Sequence, residues 1–156
     1  MFLKLIYKSM TKYFFIFICI TLLGCNSAEK QAERDEEIIV QYLKDNNIEA
    51  IRTSSGLYYW VENLGVGKFP TANSTVKVAY KGYFTNNTVF DESEAEGVTF
   101  GLNQVIQGWQ EGMLFFKEGG NGKLFIPSAL GYGKNPPPGI PKNAVLIFEV
   151  NLKQVL

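Results

Sequence analysis

From Ile51 to the end, the chain reads as several short strand-like runs separated by turn residues, one of them alternating apolar and polar residues with a period of two. This pattern limits the possible folds more than any other feature. Val76-Lys77-Val78-Ala79-Tyr80-Lys81-Gly82-Tyr83-Phe84 is the alternating run. Asn86-Asn87 marks a turn, and Thr88-Val89-Phe90 resumes the strand. Leu57 to Val61, Lys123 to Ile126 and Ala144 to Leu152 are further strands rich in branched and aromatic residues. Only Gly108 to Leu114 reads as a helix, with Trp109 and Met113 four apart on one face. Many strands, close turns and one short helix predict an α+β domain with an antiparallel sheet curled over a helix. Residues 51–156 are numerous enough for one independent core.

A different pattern precedes this domain. Asn26 to Glu37 is polar and charged, and reads as a solvated tether. Ile38, Ile39, Tyr42 and Leu43 then recur at helical spacing, behind Asp35, Glu36 and Glu37 in the expected first turn. This helix either docks on the domain or mediates dimerisation, and docking is the simpler expectation. At the start, Lys8 to Lys12 is basic and Tyr13 to Leu23 is almost wholly apolar. That run fits a signal-peptide core and is too short to span a membrane. Met10 is an alternative start that preserves the same core.

Chemistry is narrowed by what the chain lacks. It contains 0 histidines, which removes imidazole acid–base catalysis, Ser-His-Asp and Cys-His nucleophiles, and most zinc sites. Its 2 cysteines, Cys19 and Cys25, lie in or beside the N-terminal apolar run and do not form a disulfide framework. No metal or cofactor site is expected. Three of the 15 basic residues, Lys4, Lys8 and Lys12, fall in the first 24 residues, which carry no acid; the remaining 12 face 15 acidic residues. A mildly acidic mature chain gives no support for nucleic-acid binding.

Leu22-Leu23-Gly24-Cys25 resembles a bacterial lipobox. The resemblance implies that residues 1–24 are a signal peptide and that Cys25 is the lipidated N-terminus. A plain signal peptide or an uncleaved anchor is the alternative. Residues 25–50 would then be an anchored tether and short helix, and 51–156 the folded domain. The protein is expected in the cell envelope, bound to a membrane through its lipid and facing the periplasm or cell surface. Asn26 stands where aspartate can signal inner-membrane retention, which favours the outer membrane.

A series of local motifs carries a second resemblance. Val78-Ala79-Tyr80-Lys81-Gly82 is followed by Val89-Phe90-Asp91, then by Phe100-Gly101-Leu102-Asn103-Gln104-Val105-Ile106-Gln107-Gly108-Trp109 and Glu111-Gly112. Ile126-Pro127, Leu130-Gly131-Tyr132-Gly133, Pro138-Gly139-Ile140-Pro141 and Leu146-Ile147-Phe148-Glu149-Val150 come after them. Each is weak alone. In this order and spacing, the set resembles the FKBP-type peptidyl-prolyl cis/trans isomerases.

That resemblance implies a half-barrel antiparallel sheet wrapped around one short helix, with a shallow apolar pocket between them. It implies pocket roles for Tyr80, Phe90, Asp91, Ile106, Trp109, Tyr132 and Phe148, with Trp109 as floor and the Ile106 N–H as a carbonyl donor. Val98, Val105 and Ile140 would complete the substrate-binding walls. Without the resemblance, the aromatic residues would read as core, Asp91 as a turn acid and Tyr132 as a loop residue. The implied activity is isomerisation of proline-containing polypeptides during folding of exported proteins. FK506-like macrolides are implied ligands. The alternatives are a binding module for proline segments with incidental catalysis, and a structural component of an envelope complex. Two departures from the family stand out. Asp91 to Gly97 is acidic with no basic residue, which leaves Asp91 fewer partners. Val98 stands where many members have a larger aromatic, which predicts a more open wall.

Overall fold

The computed structural model describes residues 27–156. The apolar run, both cysteines, Met10 and Asn26 lie outside the described residues. The first element is helix α1, residues 27–45. Strands β1 (Ile51–Arg52), β2 (Tyr58–Asn63), β3 (Thr75–Tyr83), β4 (Val89–Glu92) and β5 (Val98–Gly101) follow. Helix α2 (Gln107–Gly112), β6 (Asn121–Ile126) and β7 (Leu146–Val155) complete the domain. Short 3-10 turns flank α2 and follow β6.

The seven strands form one antiparallel sheet in the order β1-β2-β6-β7-β3-β4. One edge of the long strand β3 is shared: β5 pairs with Thr75 to Val78, and β4 with Lys81 to Tyr83. Alternation along the strands gives the sheet two apolar faces. Val76, Val78, Leu124, Ile126, Leu146, Phe148, Val150 and Leu152 point to the concave side and bury against α2 and its neighbours. Tyr58, Tyr83, Phe125 and Ile147, which alternate with them, form a second cluster on the convex side.

Helix α2 lies close on the concave face because its small residues face the sheet. A Cβ on Gly108 would collide with Ile126, and one on Gly112 would stand 2.6 Å from a Leu124 methyl. The spacing of four puts both glycines on one helix face. Trp109 and Met113 are buried as the sequence predicts.

Helix α1 covers the convex cluster through Ile39, Tyr42 and Leu43, so it docks on the domain. Ile38 stays outside that face, with 42% of its surface exposed. The helix also reaches further back than the sequence pattern suggested, taking in residues 27–37, where a tether was expected. Ala28 to Arg34 holds only alanine, glutamate, lysine, glutamine and arginine. These are strong helix formers, and no glycine or proline interrupts them, so helix propagates without an apolar stripe. Glu36 anchors it by accepting from Arg52 Nε and Nη2, each at 2.9 Å, and from the Tyr58 hydroxyl at 3.1 Å. The Arg52 hydrogen bonds, above all, hold the Glu36 carboxyl below its usual range.

Candidate active site

Where α2 enters the concave face, the sheet leaves a cavity of about 360 Å³. Trp109, the third residue of α2, lines it. Trp109 is 4% exposed and stands steeply inclined to three neighbouring rings: Phe148 at 5.2 Å, Tyr80 at 5.3 Å and Phe100 at 5.6 Å between centroids. Such T-shaped pairs are a favoured aromatic arrangement. Phe90 extends this box, meeting Phe148 at 5.5 Å and Phe84 at 4.8 Å.

Tyr80 and Asp91 reach the cavity from paired strands. Asp91 on β4 lies opposite Gly82 of β3, so Tyr80 is its diagonal neighbour on the same face. The Tyr80 hydroxyl donates to Asp91 Oδ2 at 2.7 Å. Burial, then the Asp91 hydrogen bond and charge, push the Tyr80 hydroxyl up to about 12. Burial and the charge of Asp91 raise the Tyr132 hydroxyl in the same direction. Both phenols therefore remain protonated donors through the neutral range.

Ile106 is the N-cap residue of α2, and its carbonyl accepts from the Trp109 and Gln110 amides. The side-chain amide of Gln110 donates to the Val105 carbonyl at 2.7 Å and holds the entering segment. Ile106 lines the cavity, and no group of the described residues hydrogen-bonds its N–H.

Eight of the residues singled out from sequence meet at this one cavity: Tyr80, Asp91, Val98, Val105, Ile106, Trp109, Tyr132 and Phe148. Phe90 and Ile140 instead line an adjoining groove, which Asp91 and Tyr132 share. Two lining residues, Phe100 and Gln104, were not singled out. Phe100 follows Val98 by two on β5, so both face the same way. Val98, 43% exposed, and Phe100 both line the cavity.

The acidic Asp91–Gly97 loop holds its shape without a basic residue. Ser93 Oγ accepts from the Tyr80 amide at 2.9 Å, and the Ser93 amide donates to the Tyr80 carbonyl at 3.0 Å. Gly97 closes the loop at φ +80, a conformation that favours glycine. Asp91, for its part, keeps Tyr80 as a hydrogen-bond partner. Among the described residues, no three His, Cys, Asp or Glu side chains converge to hold a metal ion.

Known proteins share this architecture. The profile described as FKBP-type peptidyl-prolyl cis-trans isomerase matches residues 67–153. The chain is 42% identical over 127 residues to the FKBP-type peptidyl-prolyl cis-trans isomerase FkpA of Aeromonas hydrophila, covering 80% of this chain and 47% of that protein. It is 38% identical over 140 residues to FkpA of Escherichia coli K12, covering 83% and 51% respectively. The chain thus spans about half the length of these curated relatives. The crystal structure of Escherichia coli FkpA superposes with a TM-score of 0.71 at 40% identity, over 81% of this chain and 62% of that one. A peptidyl-prolyl cis-trans isomerase from Pseudomonas syringae superposes with the same TM-score, 0.71, at 25% identity, over 81% and 94%. With the sheet, the short helix and the aromatic cavity arranged as the motifs implied, the chain belongs to the FKBP-type peptidyl-prolyl cis-trans isomerase family.

Proposed function

We propose that this protein accelerates cis/trans rotation about Xaa-Pro bonds in exported polypeptides, using the cavity over Trp109. The observation that carries this is the combination of a half-closed aromatic box with two donors at its rim, the Tyr132 hydroxyl and the Ile106 N–H. Amide resonance opposes rotation with a barrier of about 18–20 kcal/mol. Rotation breaks that resonance, so the twisted transition state is less polar than the planar amide. A dry aromatic surface disfavours the planar form relative to the twisted one.

In this mechanism the proline ring rests on the Trp109 indole between Tyr80, Phe100 and Phe148. The Ile106 N–H and the Tyr132 hydroxyl hold carbonyls on either side of the rotating bond. Asp91 orients the Tyr80 hydroxyl and shapes the field of the pocket. Phe90 and Ile140 guide the adjoining chain along the groove. No proton moves and no covalent intermediate forms, which suits a chain without histidine.

Lipidation at Cys25, removal of residues 1–24 and tethering in the envelope complete the proposal, supported by the Leu22-Leu23-Gly24-Cys25 boundary. Cys25→Ser should release the protein from membranes, and a variant that stays acylated and membrane-bound would end that part. The catalytic part is tested with a proline tetrapeptide in a cis-to-trans assay. Faster isomerisation in proportion to added protein supports it, and an unchanged rate with a folded protein refutes it.

A further inference from the structure

Tyrosines aside, the buried polar or charged side chains of the described residues are two, Asp35 at 1% and Ser128 at 1% exposure, and each is the other's partner. Asp35 lies on α1, one turn before Ile39. Its Oδ2 accepts from the Ser128 amide at 2.8 Å and from the Ser128 hydroxyl at 2.6 Å. Its Oδ1 accepts from Gln31 Nε2 at 2.8 Å. A buried carboxylate is costly unless its lone pairs are satisfied. Well-packed apolar residues would often stabilise such a contact as well or better. What a carboxylate adds is a fixed position for the group it binds.

Ser128 starts the loop that carries Tyr132. Its carbonyl accepts from the Gly131 amide at 3.1 Å and from the Gly133 amide at 2.9 Å. The backbone on both sides of Tyr132 is therefore tied to one residue. Gly133, at φ +55, in turn accepts from the Asn143 amide at 2.8 Å. A continuous chain of hydrogen bonds runs from α1 through Ser128 to the two glycines flanking Tyr132. α1 itself is fixed on the convex face by Ile39, Tyr42 and Leu43 and by the Glu36–Arg52 pair.

We propose that Asp35 is a positioning residue for the isomerase pocket: through Ser128 it sets the height and angle of the Tyr132 loop. Helix α1 thereby serves the reaction from the opposite face of the sheet. The inference rests on the isomerase function proposed for the pocket. It assigns no substrate contact to Asp35.

The test is a double-mutant cycle in the full chain, with kcat and KM measured on a proline tetrapeptide. Asp35→Leu keeps bulk and removes both acceptors. Asp35→Asn keeps an oxygen toward Ser128. Ser128→Ala removes only the hydroxyl and guards against a misfolded Asp35→Leu. In folded protein, Asp35→Leu should lower kcat/KM by roughly 2- to 12-fold, no more than Tyr132→Phe does. Combined with Tyr132→Phe it should add little further loss, because both changes act on the same contact. Asp35→Asn should recover most of the loss, and Ser128→Ala should show a smaller fall of the same kind. If Asp35→Leu or Ser128→Ala lowers only thermal stability, or if its activity loss adds fully to that of Tyr132→Phe, Asp35 is merely structural and the inference fails. An unaltered protein without isomerase activity would overturn the proposed function, and this inference with it.

Discussion

Gly82 is the position where one added methyl group should test the pocket's construction. It sits in β3 between two partners, opposite Asp91 on β4 and Phe148 on β7. A Cβ there would stand 2.7 Å from Phe148 Cε1 and 2.8 Å from Phe90 Cζ, where ordinary contact begins at 3.4 Å. Each ring must retreat by roughly 0.6–0.7 Å. Each ring is backed on one side: Phe148 abuts Trp109 and Tyr80, and Phe90 abuts Phe84. The backbone cannot retreat, because it is paired on both edges. Overpacking of this kind costs about 1–3 kcal/mol. Loss of glycine's freedom in the unfolded chain returns about 0.4–1 kcal/mol. The net expectation for Gly82→Ala is a destabilisation of about 1–2 kcal/mol, read from urea unfolding followed by tryptophan emission. The displaced rings form the pocket wall, so kcat/KM on a proline peptide should fall by about tenfold in the folded variant. Gly112→Ala is the control. Its methyl would meet Leu124 at 2.6 Å, on the underside of α2, and should cost stability with little change in kcat/KM. A Gly82→Ala protein as stable and active as its parent would refute the described packing of Phe90 and Phe148.

Other expectations separate the roles of individual groups. Phe90→Ala should destabilise the fold by about 2–3 kcal/mol, below the full-burial range because Phe90 is only half-buried. Tyr132→Phe should leave stability alone and cost about 0.5–1.5 kcal/mol in kcat/KM, the worth of one hydrogen bond to a bound carbonyl. Activity should be flat from about pH 6 to pH 8, because no histidine titrates there. The phenol donors are present below their raised pKa values and are lost only as pH rises through them, for Tyr80 near 12. A sharp change in kcat/KM near neutrality, or a large loss with EDTA, would contradict the proton-free, metal-free mechanism. An FK506-like macrolide should change Trp109 emission in a Trp60→Phe background, and calorimetric binding without such a change would remove Trp109 from the floor.

Local order carried much of this structure into view, and long-range contacts hid the rest. The alternation from Val76 to Phe84 and the branched, apolar run from Ala144 to Leu152 marked the two longest strands. Trp109 and Met113, four apart, marked the buried face of α2. Strand β5 was missed because Val98–Gly101 is only four residues long and ends in Gly101. With it went Phe100, although that residue opened a motif already noted. Gln104 gave a signal only through its place immediately before Val105. The first half of α1 has no apolar stripe, so hydrophobic periodicity gave no sign of it. Helix propensity over Ala28 to Arg34 could have. Nothing local linked Asp35 to Ser128, which is 93 positions away.

Rotation without release is the central claim, and exchange NMR on a short Xaa-Pro peptide measures it at equilibrium. Uncatalysed interconversion takes about 10–100 s at 25 °C, too slow to produce exchange between the cis and trans signals. Substoichiometric protein should bring the two signals into exchange, and Trp109→Leu should return them to the uncatalysed rate. If the peptide's shifts show binding while the cis and trans signals exchange no faster, the cavity is a proline-binding module and the isomerase account is wrong.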